Sequence, residues 1–81
     1  MSNMFLSSKT AKKEVLALVK CRYPELKDLR SLFNNVKEDA LAQLLRAEEP
    51  ARMYRLQERV YVLDEFLKAV EESASVWERL K

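Results

Sequence analysis

The sequence predicts an all-α fold: an antiparallel, coiled-coil-like helical hairpin with an additional N-terminal helix, three helices in all. Three observations predict it. First, the 81 residues contain no glycine and only two prolines, so tight turns with positive φ, and with them strand-bounding turn signals, are missing. Second, Met53, Leu56, Val60, Leu63, Leu67, Val70, Ala74 and Trp77 recur at alternating steps of three and four, the seam of a helix packed on other helices. Third, a separate stripe of Leu26, Leu29, Phe33, Val36, Ala40 and Leu44 runs against the first in one register. Facing residues of an antiparallel pair have a nearly constant number sum. Phe33 with Leu63, Val36 with Val60 and Leu26 with Val70 all give 96, and Leu44 with Met53 gives 97.

The elements follow in order. Residues 1–8 read as a tail whose Met4, Phe5 and Leu6 can dock on the bundle. Ser8 or Thr10 can cap a first helix over residues 9–22, with Ala11, Val15, Leu18 and Val19 as its apolar stripe. Pro24 ends that helix and suits the first turn of a second, residues 25–47, where Glu25 and Asp28 complement the helix dipole. Asn35 with Glu38 resembles a capping box, but the apolar stripe passes Asn34-Asn35 in phase, which favours one continuous helix. Pro50 opens the third helix, residues 50–72, with continuation to 80 or a separate last helix capped by Ser75 and Glu78 as alternatives. The short connection at Glu48-Glu49 makes the second and third helices antiparallel neighbours. The whole, 1–81, reads as one helical domain.

Composition narrows the function. The chain is 48% hydrophobic and 35% charged, too apolar to remain disordered. One cysteine and no histidine exclude an internal disulfide and Cys/His zinc sites. Phosphate-cradling glycine loops are excluded likewise. Cys21 lacks the histidine that would activate it, so it reads as packing rather than as a nucleophile. The acidic pairs Glu48/Glu49, Asp64/Glu65 and Glu71/Glu72 point about 100° apart on a helix and do not converge on one ion. No enzyme activity, cofactor or metal is expected. No run approaches the roughly 20 apolar residues of a membrane span, residues 1–6 are too short for a signal peptide, and a lone thiol suits a reducing compartment. An intracellular location without membrane association is the expectation.

Net charge is +2, unevenly spread. Residues 1–37 hold eight basic and three acidic side chains; the remainder holds seven basic and ten acidic. Lys12, Lys13, Lys20, Lys27 and Arg30 are therefore the candidates for a nucleic-acid surface, weighed against ordinary solubilisation of a helix. Arg46, Arg52, Arg55 and Arg59 form a second basic set near Tyr54 and Tyr61, offset by Glu48, Glu49 and Glu58. Apolar residues outside the seam are numerous: Leu32, Leu41, Leu45, Tyr54, Tyr61, Val62 and Phe66. They point to a protein partner or a homo-oligomer, with Trp77, Phe66, Tyr61 and Tyr54 as aromatic anchors.

Two segments carry a resemblance. Cys21-Arg22-Tyr23-Pro24-Glu25-Leu26 followed by Leu29 is one; Tyr54-Arg55-Leu56-Gln57-Glu58-Arg59 followed by Val62-Leu63-Asp64-Glu65-Phe66-Leu67 is the other. Over most of residues 9–72 the chain resembles small, all-helical, mostly uncharacterised proteins of tailed bacteriophages, which often have glycine where Glu58 stands. The resemblance implies no activity for any residue. It implies a setting: an accessory or virion-associated phage protein, in the host cytoplasm or the virion. The expected function is a non-enzymatic protein–protein interaction in which one apolar helix face is buried against a partner; nucleic-acid binding by the basic N-terminal helix surface is the alternative.

Overall fold

The computed structural model describes residues 3–81; residues 1–2 of the expected tail lie outside it. Helices α1 (Lys12–Lys20), α2 (Lys27–Arg46) and α3 (Pro50–Leu80) follow one another, with a 3₁₀ turn at Pro24–Leu26 before α2. No strand occurs among the described residues, so the fold is all-α; a lone bridge pairs Asn3 with Leu6.

Local chemistry trims the expected helices. α1 starts at Lys12, three residues late, and neither Ser8 nor Thr10 caps it. The Thr10 hydroxyl is engaged in the preceding turn, accepting from the Ser7 N–H (3.0 Å) and donating to the Phe5 carbonyl (3.1 Å). Ala11 stands at the N-cap, and Glu14 reaches back to its N–H at 2.8 Å. Tyr23 adopts the extended backbone that a following proline demands (φ −63°, ψ 145°). Pro24 consequently opens the 3₁₀ turn, and α2 begins at Lys27 rather than at residue 25. α2 is continuous through Asn34-Asn35, and α3 through Ser73–Ser75. The capping box at Ser75 is therefore not used. Ser73, fully buried, donates from Oγ to the Val70 carbonyl at 2.6 Å within the same helix, which satisfies a hydroxyl that burial would otherwise penalise.

α3 is the spine. Its 31 residues span about 46 Å at 1.5 Å per residue, nearly the 48 Å long axis of the molecule. α1 and α2 both pack on it and hardly touch each other. The result is one layer of helices, 28 Å wide and 15 Å thick between Cα atoms. Cross-contacts run antiparallel between α2 and α3. The Phe33 and Phe66 rings meet edge to face at 5.2 Å, Lys37 Nζ lies 3.5 Å from Asp64 Oδ1, and Arg52 Nη2 donates to Gln43 Oε1 at 2.9 Å. Phe33 thus meets a ring one turn beyond Leu63, its expected partner.

Burial along the expected seam is uneven. Ala40, Leu56 and Val70 are buried, whereas Leu29 and Val36 are each 40% exposed. The cause is the single layer: α1 covers α3 and leaves a flank of α2 bare. The best-packed region lies elsewhere. Leu18 of α1 meets Ala69 and Val70 of α3, with Phe5, Leu6, Cys21 and Phe66 packed around them. The expected tail is, from Asn3 onward, part of this core. Phe5 stacks edge-on against Phe66 at 5.4 Å. Asn3 Nδ2 donates to the Glu65 carbonyl (2.8 Å) and carboxylate (2.6 Å), and Asn3 Oδ1 accepts from the Phe5 N–H (2.8 Å).

Candidate interaction surfaces

The α2/α3 pair has two solvent edges, each defined by one polar cross-contact. The first is marked by Lys37–Asp64. On α2, Leu41 and Leu45 follow Lys37 at steps of four; on α3, Tyr61 and Tyr54 precede Asp64 by three and ten, so all four lie on this edge. They are exposed by 36% (Leu41), 89% (Leu45), 56% (Tyr61) and 70% (Tyr54). The edge carries an uncharged run of leucine and tyrosine toward the bend at residues 47–49.

The second edge is marked by Gln43–Arg52. Here Leu29, Leu32 and Val36 of α2 stand exposed beside Arg55, Arg59 and Val62 of α3. Among the described residues no carboxylate lies within ion-pair distance of Arg46, Arg52, Arg55 or Arg59; the ion pairs are Lys37–Asp64, Lys68–Asp64 and Lys81–Glu78. Glu48, Glu49 and Glu58 do not neutralise these arginines by direct contact.

The other sequence candidates are dispersed. Trp77 is half-buried near the end of α3, and Phe66 is enclosed between Phe5 and Phe33. Lys12, Lys13 and Lys20 are exposed on α1. Lys27 and Arg30 instead line a groove of about 700 Å³, together with Arg22, Lys37 and Lys68. Sequence reasoning missed the role of Arg30. Its Nη1 donates to the Cys21 carbonyl and, at 3.0 Å, to that of Tyr23, tying the end of α1 to the start of α2. Nine and seven residues separate Arg30 from Cys21 and Tyr23, and the intervening link turns the chain, so helical periodicity gave no hint of it. Cys21 is half-buried and lines a separate groove of about 460 Å³ beside Phe5, Leu18 and Phe66, in keeping with packing.

Asp64 is the electrostatic centre of the first edge. Lys68 Nζ approaches Oδ2 at 3.0 Å and Lys37 Nζ approaches Oδ1 at 3.5 Å. The Lys68 hydrogen bond, aided by both ammonium charges, holds the Asp64 carboxyl below its ordinary value against a smaller opposing effect of burial. A carboxyl pKa lowered by folding adds stability above the unfolded value, about 4, and loses it as pH falls through the folded value. The stability of the wild type, read as the urea midpoint, is therefore expected to fall more steeply below about pH 4 than that of Asp64→Asn. The exposed setting limits the difference to less than about 1 kcal/mol. Parallel acid limbs in the two proteins would refute it.

No family model, no curated protein and no solved structure matches this chain. Among the described residues no helix is long and apolar enough to cross a membrane.

Proposed function

We propose that this protein is a non-enzymatic helical interaction module, a hairpin of α2 and α3 braced by α1, that pairs with a second copy of itself through its leucine–tyrosine edge. One observation carries the reading: Leu41, Leu45, Tyr54 and Tyr61 are all solvent-exposed along one edge of the α2/α3 pair. Large contiguous apolar surface on a small domain marks an interface. A two-fold axis can bring this edge against itself, with the Glu65 carboxylate, whose hydrogen bond and charge raise the Tyr61 phenol above its ordinary value, at its border. Pairing along this edge sets the α2/α3 hairpins of two copies side by side, a four-helix arrangement that covers the exposed leucines and tyrosines. Tyrosine contributes broad contact area with little rotamer entropy to lose. Tyr54 and Tyr61 serve as the anchors on this reading; Phe66, half-buried and in contact with Phe5 and Phe33, does not. A structural or accessory role in a phage assembly, the setting that the resemblance of the sequence implies, is part of this proposal.

Sedimentation equilibrium tests it. The wild type is expected to associate at concentrations up to about 200 μM, in the range of ordinary weak-to-moderate dimers. Leu45→Glu and Tyr54→Glu, both at exposed positions, should keep full helical circular dichroism yet weaken association about 30-fold, the effect of losing a central hot spot. A wild type monomeric throughout that range, or variants that associate equally well, would overturn the proposal.

A further inference from the structure

We infer that the groove between the start of α2 and the C-terminal half of α3 binds a phosphate-bearing ligand. Five cationic side chains from three segments line it: Arg22 from the link, Lys27, Arg30 and Lys37 from α2, and Lys68 from α3. Two acids, Asp64 and Glu71, stand against them. Asp64 already takes hydrogen bonds from both Lys37 and Lys68. Among the described residues Arg22, Lys27 and Arg30 have no carboxylate partner within 4 Å. Gathering like charges is unfavourable unless an anion compensates them.

The groove is built as well as charged. Arg30 is anchored through Nη1 on two backbone carbonyls. That fixes the guanidinium plane and leaves Nη2 and Nε to meet an anion without further ordering cost. Ser31 and Asn34 add neutral hydrogen-bonding groups on the same helix face, one turn apart. A volume of about 700 Å³ exceeds a single phosphate and suits a polyphosphate or a short stretch of nucleic-acid backbone. Both sources share the chemistry that the groove recognises. This site differs from the lysine surface on α1, because Lys12, Lys13 and Lys20 are not among its lining residues.

The test is a titration of the whole isotope-labelled chain, followed by amide chemical shifts, with sodium tripolyphosphate in one arm and a short DNA duplex in the other at matched ionic strength. Saturable shifts are expected at residues 22–37 and 64–71 in at least one arm, and the arm that responds assigns the source. The double variant Arg22→Gln/Lys27→Gln, at exposed positions, should weaken binding at least about tenfold. Lys12→Gln/Lys13→Gln should stay within about twofold. No saturable shift in either arm, or shifts spread over all lysines and weakened equally by both variants, would overturn the inference.

Discussion

Replacing Phe66 by alanine is expected to lower the melting temperature by about 12 °C or more. Phe66 holds two edge-to-face contacts at once, with Phe33 of α2 at 5.2 Å and with Phe5 of the N-terminal segment at 5.4 Å. It also packs on the Leu18–Ala69–Val70 cluster. One side chain therefore joins α2, α3 and the N-terminal segment. Truncating a core phenylalanine costs about 3–5 kcal/mol, and partial exposure places this case at the lower end, about 3 kcal/mol. In a domain of this size each kcal/mol is worth roughly 4–8 °C. Thermal unfolding by circular dichroism reads the change. The result also separates two roles for this ring: were Phe66 an anchor for a partner, the variant would lose association and keep its melting temperature. A double-mutant cycle with Phe5→Ala should return a coupling of about 0.5–1.5 kcal/mol, the usual worth of an aromatic pair.

Deleting residues 1–6 is expected to cost about 3 kcal/mol. Phe5 and Leu6 are half-buried against the core cluster; at roughly half the 1.5–3 kcal/mol of full burial each, they supply most of it. The Asn3 hydrogen bonds to Glu65 add about 1 kcal/mol. Urea denaturation would show a lower midpoint, and hydrogen exchange would show α1 losing protection first, because α1 has nine residues and hardly touches α2. An isolated helix of that length is marginal in water. An unchanged midpoint would mean that residues 3–6 contribute nothing to the fold.

Both predictions concern residues whose roles are hard to see in the sequence. Phe5 stands in a segment without periodicity, so nothing in the pattern assigns it a neighbour 61 positions away. Phe66 belongs to a second stripe on α3, with Ala69, Val70 and Ser73 at steps of three and four. Two members of that stripe are small, and one is polar, so it is fainter than the leucine-rich seam beside it. Yet Ala69 and Ser73 are fully buried, because small side chains let α1 approach closely. Leu29 and Val36 are the converse. They match the seam in phase but remain 40% exposed, since periodicity reports which side of a helix is apolar and not how much of that side is covered. The basic groove was half visible: Lys27 and Arg30 were on the candidate surface and Lys37 follows Arg30 two turns on along α2, while Lys68 joined them only across the α2/α3 interface.

By itself the sequence determined the helical class, the breaks at Pro24 and Pro50 and the antiparallel approach of α2 and α3 about a short bend. These are consequences of local sterics and of periodicity along one chain. Only the tertiary structure decided that α1 covers α3 and leaves a flank of α2 bare, that the N-terminal segment closes the core, and which apolar and basic side chains stay in solvent. Those outcomes depend on where three helices sit relative to one another. That placement follows from the summed packing of residues distant in sequence, which no local pattern encodes.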